Sequence, residues 1–322
     1  MADSGLAGQR RIADCQNYER SGLVPSKFLP HWNRPDVEGM LHAMQGRVCA
    51  YCGISNNSLD VEHFRPKGPI DGDQNHGGYW WLAYDEANYF LSCSACNRNR
   101  KRGCFPLQQG ATRSTYESRG GIATELRVLL DPTIDPVEEW LTIDPEDATA
   151  RLIPHPELGA AERRRVQHVI DLFGLNVNPE IRRLRLQAYM EAARAASEQR
   201  WDDLRRRAMR HQSHSLVARI VLQRNAPEQP PSPELEMREL MDLLWSDLKN
   251  LVGEISEMKA RGKTPSAPDD GGVKALCWAL AILRGDPPTG EPATADNHFE
   301  ELFRKEPVEA RAEFIELFRA LN

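Results

Sequence analysis

Two Cys-x-x-Cys pairs constrain this chain more than any other feature. CAYC spans Cys49 to Cys52 and CSAC spans Cys93 to Cys96, so about forty intervening residues must fold back to bring four sulfurs together. Four thiolates in this spacing predict a closed tetrahedral zinc site, structural because no coordination position stays open for water. The chain has seven cysteines in all. An odd number, with no apolar leader in MADSGLAGQRR, argues against a disulfide framework and for metal binding in a cytoplasmic protein. A thiol redox pair is the competing reading, and it predicts thiols that titrate freely. Cys15 and Cys277 read as buried thiols, and Cys104 lies too close to the second knuckle to replace a ligand.

Between the knuckles lies VEHFRPK (Val61 to Lys67), and the second knuckle runs directly into NRNRK (Asn97 to Lys101). Phosphodiester hydrolysis needs a base for water and a hard cation to neutralise charge on the phosphate and the leaving oxygen. His63 suits the first role. Glu62 suits the second if another oxygen ligand converges, and Asn97, fixed by Cys96 before it, offers an amide oxygen to Mg²⁺ or Mn²⁺. LDVEHF reads as a short strand with Glu62 and His63 on opposite faces. NRNRKRG is compatible with a helix that places Asn97 and Lys101 on one face. Arg65, Lys67, Arg98, Arg100 and Lys101 cluster around this region as candidate phosphate contacts, and Arg102 extends the cluster. Tyr79, Trp80, Trp81 and Tyr84 read as the core of a small domain in preference to a base-stacking platform, and His76 reads as an exposed loop residue.

The net charge of −6 and pI near 5.9 exclude a uniformly basic nucleic-acid coat, so any such surface is a local patch. No run of about eighteen apolar residues predicts a membrane span. Residues 1 to about 45 read as mostly irregular, with a helix in VEGMLHAMQ, and as an arm laid over the core. RVLLDPTIDPVEEW reads as a proline-broken connector. Residues 161 to 225 read as Arg-rich helices, one ending at Gly174 and one starting at Asn178-Pro179-Glu180. Their interspersed acids leave a solvated or partner-docking face as open as a nucleic-acid surface. APEQPPSPE is a linker, LEMRELMDLLWSDLKNLVGEISEMK an amphipathic helix, and VKALCWALAIL and PVEARAEFIELFRALN further helices.

The string C-x-Y-C…E-H-F-R-P-K…Y-W-W-L-A-Y-D…N-Y…S-C-x-x-C-N…K…F-P-L resembles the HNH endonuclease superfamily, and is most similar to the HNH subunits of Septu-type and retron anti-phage operons. The likeness covers about residues 46–110 and, more weakly, LLDPTIDPVEEWL and LFGLN. It implies a ββα-metal core with His63 as general base and Glu62 as the acidic metal ligand beside it. It further implies Asn88 as the residue that tethers the loop and orients the histidine, Asn97 as the second metal ligand, and Lys101 as the basic residue that follows. The last motif position is Asn where the family also has His, which bears on the second ligand. An ATPase partner subunit and restraint until an invader signal arrives are implied by the resemblance alone.

The resulting expectation is an α+β, mostly α-helical protein. A zinc-stapled ββα-metal HNH core with an N-terminal arm would occupy residues 1–135 (core 46–110), and a larger helical region for partner or nucleic-acid interaction would occupy 136–322. The function expected is metal-dependent cleavage of nucleic acid, DNA favoured, in anti-phage defence, with structural Zn²⁺ and catalytic Mg²⁺ or Mn²⁺. The alternative is a zinc-stapled binding module without catalysis.

Overall fold

The computed structural model describes residues 6–56, 58–73, 75–144, 146–209, 211–226, 233–261 and 276. The chain is α+β and mostly helical, as expected, with two small antiparallel sheets of two strands each among the described residues. It divides into two compact units: Met1–His31 with Arg47–Pro231, and Trp32–Gly46 with Ser232–Asn322.

The first unit begins with α1 (Leu6–Ser21), a 16-residue helix in a segment expected to be largely irregular. Its Ala, Arg and Gln content favours a helix. Only a few residues of it, Cys15 and Tyr18 among them, pack against the core, so no apolar stripe announced it. Tyr18 lies 4.8 Å from the Trp80 ring and 5.0 Å from Tyr116, so α1 packs over the core, while Trp32–Gly46 of the expected arm belong to the second unit.

In the same unit, β1 (Asp60–His63) pairs antiparallel with β2 (Tyr89–Ser92), Glu62 opposite Phe90 and His63 opposite Tyr89. The chain leaves β2 into the second cysteine knuckle and a π-helical segment, Ala95–Lys101. The expected helical turn is present but wound wider, with Arg102 N–H donating to the Asn97 carbonyl five residues back. Tyr79, Trp80, Trp81 and Tyr84 are buried, so the aromatic run is core. Gly78 has φ +88° and closes against Gly68, whose carbonyl oxygen lies only 2.1 Å from where a Cβ would stand.

The proline-broken connector ends in the single turn α3 (Val137–Trp140). Beyond it, β3 (Leu141–Ile143) pairs with β4 (Leu152–Pro154), a hairpin not anticipated from the sequence. A layer of helices follows: α4 (Ala160–Leu172), α5 (Pro179–Ser197), α6 (Trp201–Arg207) and α7 (Ser215–Asn225). Gly174 at φ +60° ends α4, with Leu175 N–H reaching the Ile170 carbonyl, and the Asn178 side chain caps α5 by accepting from the Glu180 and Ile181 amides. One hydrophobic cluster runs from Cys49, Cys52 and Phe64 through Phe105 and Leu141 to Ile170, Phe173, Val217 and Ile220. The cysteine-knuckle region and the helical layer therefore share a core. Among the arginines of α5 and α6, Arg194 pairs with Glu198, Arg205 with Asp202 and Arg207 with Asp203, while Arg185 is buried against the Ala150 and Leu175 carbonyls. The pairs offset part of the positive charge these helices carry in sequence.

The second unit contains α2 (Pro35–Gln45), which buries Val37, Leu41 and Ala43, and α8 (Pro233–Ala260), the amphipathic helix expected there. Leu240, Leu244, Leu248, Val252 and Ile255 form its buried stripe. PVEARAEFIELFRALN, most of VKALCWALAIL and Cys277 lie outside the described residues.

Candidate active site

The four knuckle cysteines come together as their spacing requires. Their sulfurs all lie within 4.8 Å of one another, with Cys52 and Cys93 at 3.9 Å. A tetrahedron of sulfurs about 2.3 Å from zinc has edges of about 3.8 Å, so the cluster fits a structural zinc ion. Each knuckle is braced by backbone: Gly53 N–H donates to the Cys49 carbonyl, and the Cys96 and Asn97 amides donate to the Cys93 carbonyl. Gly53 has φ +72°. Hydrogen bonds from Cys52, Cys93 and Cys96 hold the Cys49 thiol well below its ordinary range, while the Cys49 sulfur pushes Cys96 up. Sulfurs this close cannot all ionise without a cation among them.

Glu62 and His63 are both buried on β1, next to these knuckles. His63 Nε2 lies 2.9 Å from the Ala83 carbonyl oxygen, which can only accept, so Nε2 carries the proton and Nδ1 the lone pair. Lys67 Nζ faces that lone pair at 3.4 Å. Tyr89 also donates to the Ala83 carbonyl, at 2.7 Å, and its ring stands edge-on to the imidazole. Burial, and next the Lys67 charge, push the His63 pKa down to about 3, so the ring is neutral at physiological pH.

Asn88 ties the chain leaving β1. Its Oδ1 accepts from the Arg65 amide at 2.7 Å and its Nδ2 donates to the Arg65 carbonyl at 3.0 Å, while Phe64 N–H donates to the Asn88 carbonyl. The Glu62 carboxylate receives Lys101 Nζ at 2.5 Å and the Tyr51 phenol at 3.2 Å, both on Oε1. Lys101 also donates to the His63 carbonyl at 2.9 Å. Asn97 is half-buried at the start of the π-helical segment.

The expected basic patch divides. Lys101 is 0 % exposed, because its ammonium is drawn inward by Glu62, and it does not face solvent. Arg65 is also turned inward, bonded to the buried Glu125 carboxylate and the Ile122 carbonyl and lying over the Phe105 ring. Arg100 lays its guanidinium against the backbone of Gly174. Arg98 is outside, paired with Asp60 through both carboxylate oxygens, and Lys67 is half-buried beside His63. His76 is half-buried where exposure was expected; its Nε2 donates to the Ser114 carbonyl and its ring packs on Tyr79 and Trp81. No sequence signal marked Glu125 or the Ala83 carbonyl. Tyr51 was visible only as the aromatic residue inside CAYC.

No family model matches the chain. A 112-residue segment is 34 % identical to the Septu protein PtuB of Bacillus mycoides (strain KBAB4), covering 33 % of this chain and 37 % of that protein. A 142-residue segment is 25 % identical to the Retron Vc95 putative HNH endonuclease of Vibrio cholerae serotype O1 biovar El Tor, covering 44 % of this chain and 57 % of that protein. The chain is similar to HNH-type anti-phage defence proteins. The likeness is partial in length: the matched segments span between about a third and three-fifths of these relatives. Among the described residues of this HNH-like chain, no helix is long and apolar enough to cross a membrane.

Proposed function

We propose that the chain is a metal-dependent HNH endonuclease that hydrolyses phosphodiester bonds of nucleic acid, DNA favoured, as an effector of anti-phage defence. The observation that carries this reading is the His63 tautomer: Nε2 anchored on the Ala83 carbonyl and a neutral Nδ1 turned toward Lys67. That is the state a general base must hold before it accepts a proton from water. In this reading β1, β2 and the π-helical segment form the ββα-metal core, and Asn88 fixes the loop that keeps His63 in place.

His63 Nδ1 takes the proton of the attacking water, and the Ala83 carbonyl stabilises the imidazolium that results. Lys67 receives a phosphate oxygen. A phosphate anion there offsets the Lys67 charge that helps hold the histidine low, so substrate binding raises the basicity of Nδ1. Glu62 and Asn97 would hold a hard cation, and one carboxylate with one amide oxygen suits Mg²⁺, which keeps most of its waters. When bound, Mg²⁺ or Mn²⁺ neutralises charge on the scissile phosphate and the leaving 3′ oxygen. Arg98 and Lys67 are the proposed backbone contacts, and an ATPase partner subunit is proposed from the family resemblance.

Cleavage of supercoiled plasmid and of single-stranded RNA in Mg²⁺, with and without the neighbouring-gene ATPase, tests the proposal. Wild type should cut and His63→Ala should not, by a factor on the order of 10² or more. Binding without cutting in both proteins would instead favour the zinc-stapled binding module.

A further inference from the structure

Glu62 is held from the first zinc knuckle. Tyr51 lies between Cys49 and Cys52, so the two metal ligands fix its backbone on either side. Its ring stacks on Phe173 at 4.1 Å and 13° between planes, and Phe173 is buried where α4 ends. The ring is thus set at both ends, and its hydroxyl donates to Glu62 Oε1 at 3.2 Å. Lys101, five residues beyond Cys96 on the second knuckle, meets the same oxygen. The two contacts converge on Oε1, and neither engages the other carboxylate oxygen.

We propose that Tyr51 is a positioning residue through which the four-cysteine site sets the Glu62 carboxylate for the second, catalytic cation. This rests on the reading of Glu62 as a metal ligand. Tyr51 touches neither substrate nor cation. It acts by removing the rotamer freedom a glutamate otherwise loses on binding metal, and outer partners of this kind are worth roughly tenfold to a hundredfold in metal affinity. Being neutral, the phenol orients the carboxylate without opposing a dication, unlike the Lys101 ammonium.

The test uses Tyr51→Phe in the full chain, which keeps the stack on Phe173 and removes only the hydroxyl. Zinc content is measured by chelator release, and Mn²⁺ affinity by the free-ion electron paramagnetic resonance signal. The expected result is about one zinc per chain, unchanged, with Mn²⁺ bound about tenfold more weakly or worse. With Co²⁺ in the thiolate site, Mn²⁺ should perturb the cobalt spectrum of wild type and not of Tyr51→Phe. Equal Mn²⁺ affinity in the two proteins overturns the inference while leaving the nuclease reading intact. No Mn²⁺ binding by wild type, with no cleavage, overturns both. If Tyr51→Phe loses zinc, Phe173→Leu carries the test, because it leaves the hydroxyl and frees the ring. The same loss of Mn²⁺ affinity is then expected, and an unchanged affinity overturns the proposal.

Discussion

The Asn88 carboxamide clamps the Arg65 peptide from both sides, accepting from its N–H at 2.7 Å and donating to its C=O at 3.0 Å. Asn88 is buried, so neither group has water as a substitute. Asn88→Ala should cost about 2–3 kcal/mol of stability, read as the urea midpoint, because it leaves a buried amide donor unpaired. Asn88→Asp should lose at least as much stability, since the acceptor remains but a buried carboxylate oxygen then faces the Arg65 and Leu82 carbonyls. Both should lower cleavage more than stability alone explains, because the clamped peptide follows His63 by two residues.

Arg65 separates a structural role from a nucleic-acid one. Its partner Glu125 is fully buried and also takes the Tyr79 hydroxyl at 2.6 Å and the Ser114 amide. Arg65→Ala should therefore destabilise the fold by on the order of 3 kcal/mol. The slope of nucleic-acid affinity against salt should stay as in wild type. A reduced salt slope with unchanged stability would place Arg65 on phosphate instead.

Stability should fall in mild acid. His211 and His214 are buried, each has its Nε2 unpaired, and burial holds both pKa values near 4; a nearby arginine, Arg219 or Arg185, adds to the effect. Between about pH 6.5 and 4 the unfolded chain binds protons that the folded chain does not, so stability is fully present above 6.5 and lost as pH falls. The slope is at most about 1.4 kcal/mol per pH unit for each histidine. Urea midpoints at pH 7.5, 6 and 5 would show it, and His211→Gln should flatten the curve.

Zinc removal should unfold more than the knuckles. Cys49, Cys52 and Cys96 belong to the cluster that continues into α4 and α7. Cys93→Ala should abolish the single bound zinc, and chelation of wild type should cut both the melting temperature and the near-ultraviolet signal of the Trp80–Tyr116 stack. Retention of that signal without zinc would confine the metal's effect to the knuckles.

Local grammar carried much of the fold. The cysteine spacing, the DVEH strand, the Gly174 stop and the Asn178 cap each depend on neighbours in sequence, and each is where the residues indicated. The helix α1 escaped because only a few of its residues, such as Tyr18 against Trp80, meet the core, so no apolar stripe marked it. The β3–β4 pair escaped because its strands are three residues each and lie in a proline-rich stretch. Within the site, residue types were readable but orientation was not. Lys101 and Arg65 look like phosphate ligands until buried Glu62 and Glu125 are seen beside them.

The π winding of Ala95–Lys101 makes this segment tolerant of length in a way its composition hides. A π turn holds about one residue more than an α turn. Deleting Asn99 alone would let the backbone relax to ordinary α geometry, with Cys93 and Cys96 still in place. The shorter segment would still close the same turn, so Lys101 would keep facing Glu62. An added residue has no such slack and would carry the ammonium around the axis, away from its carboxylate. The segment thus absorbs a deletion but not an insertion, and substitution tables read along the chain would miss this, because no residue type changes.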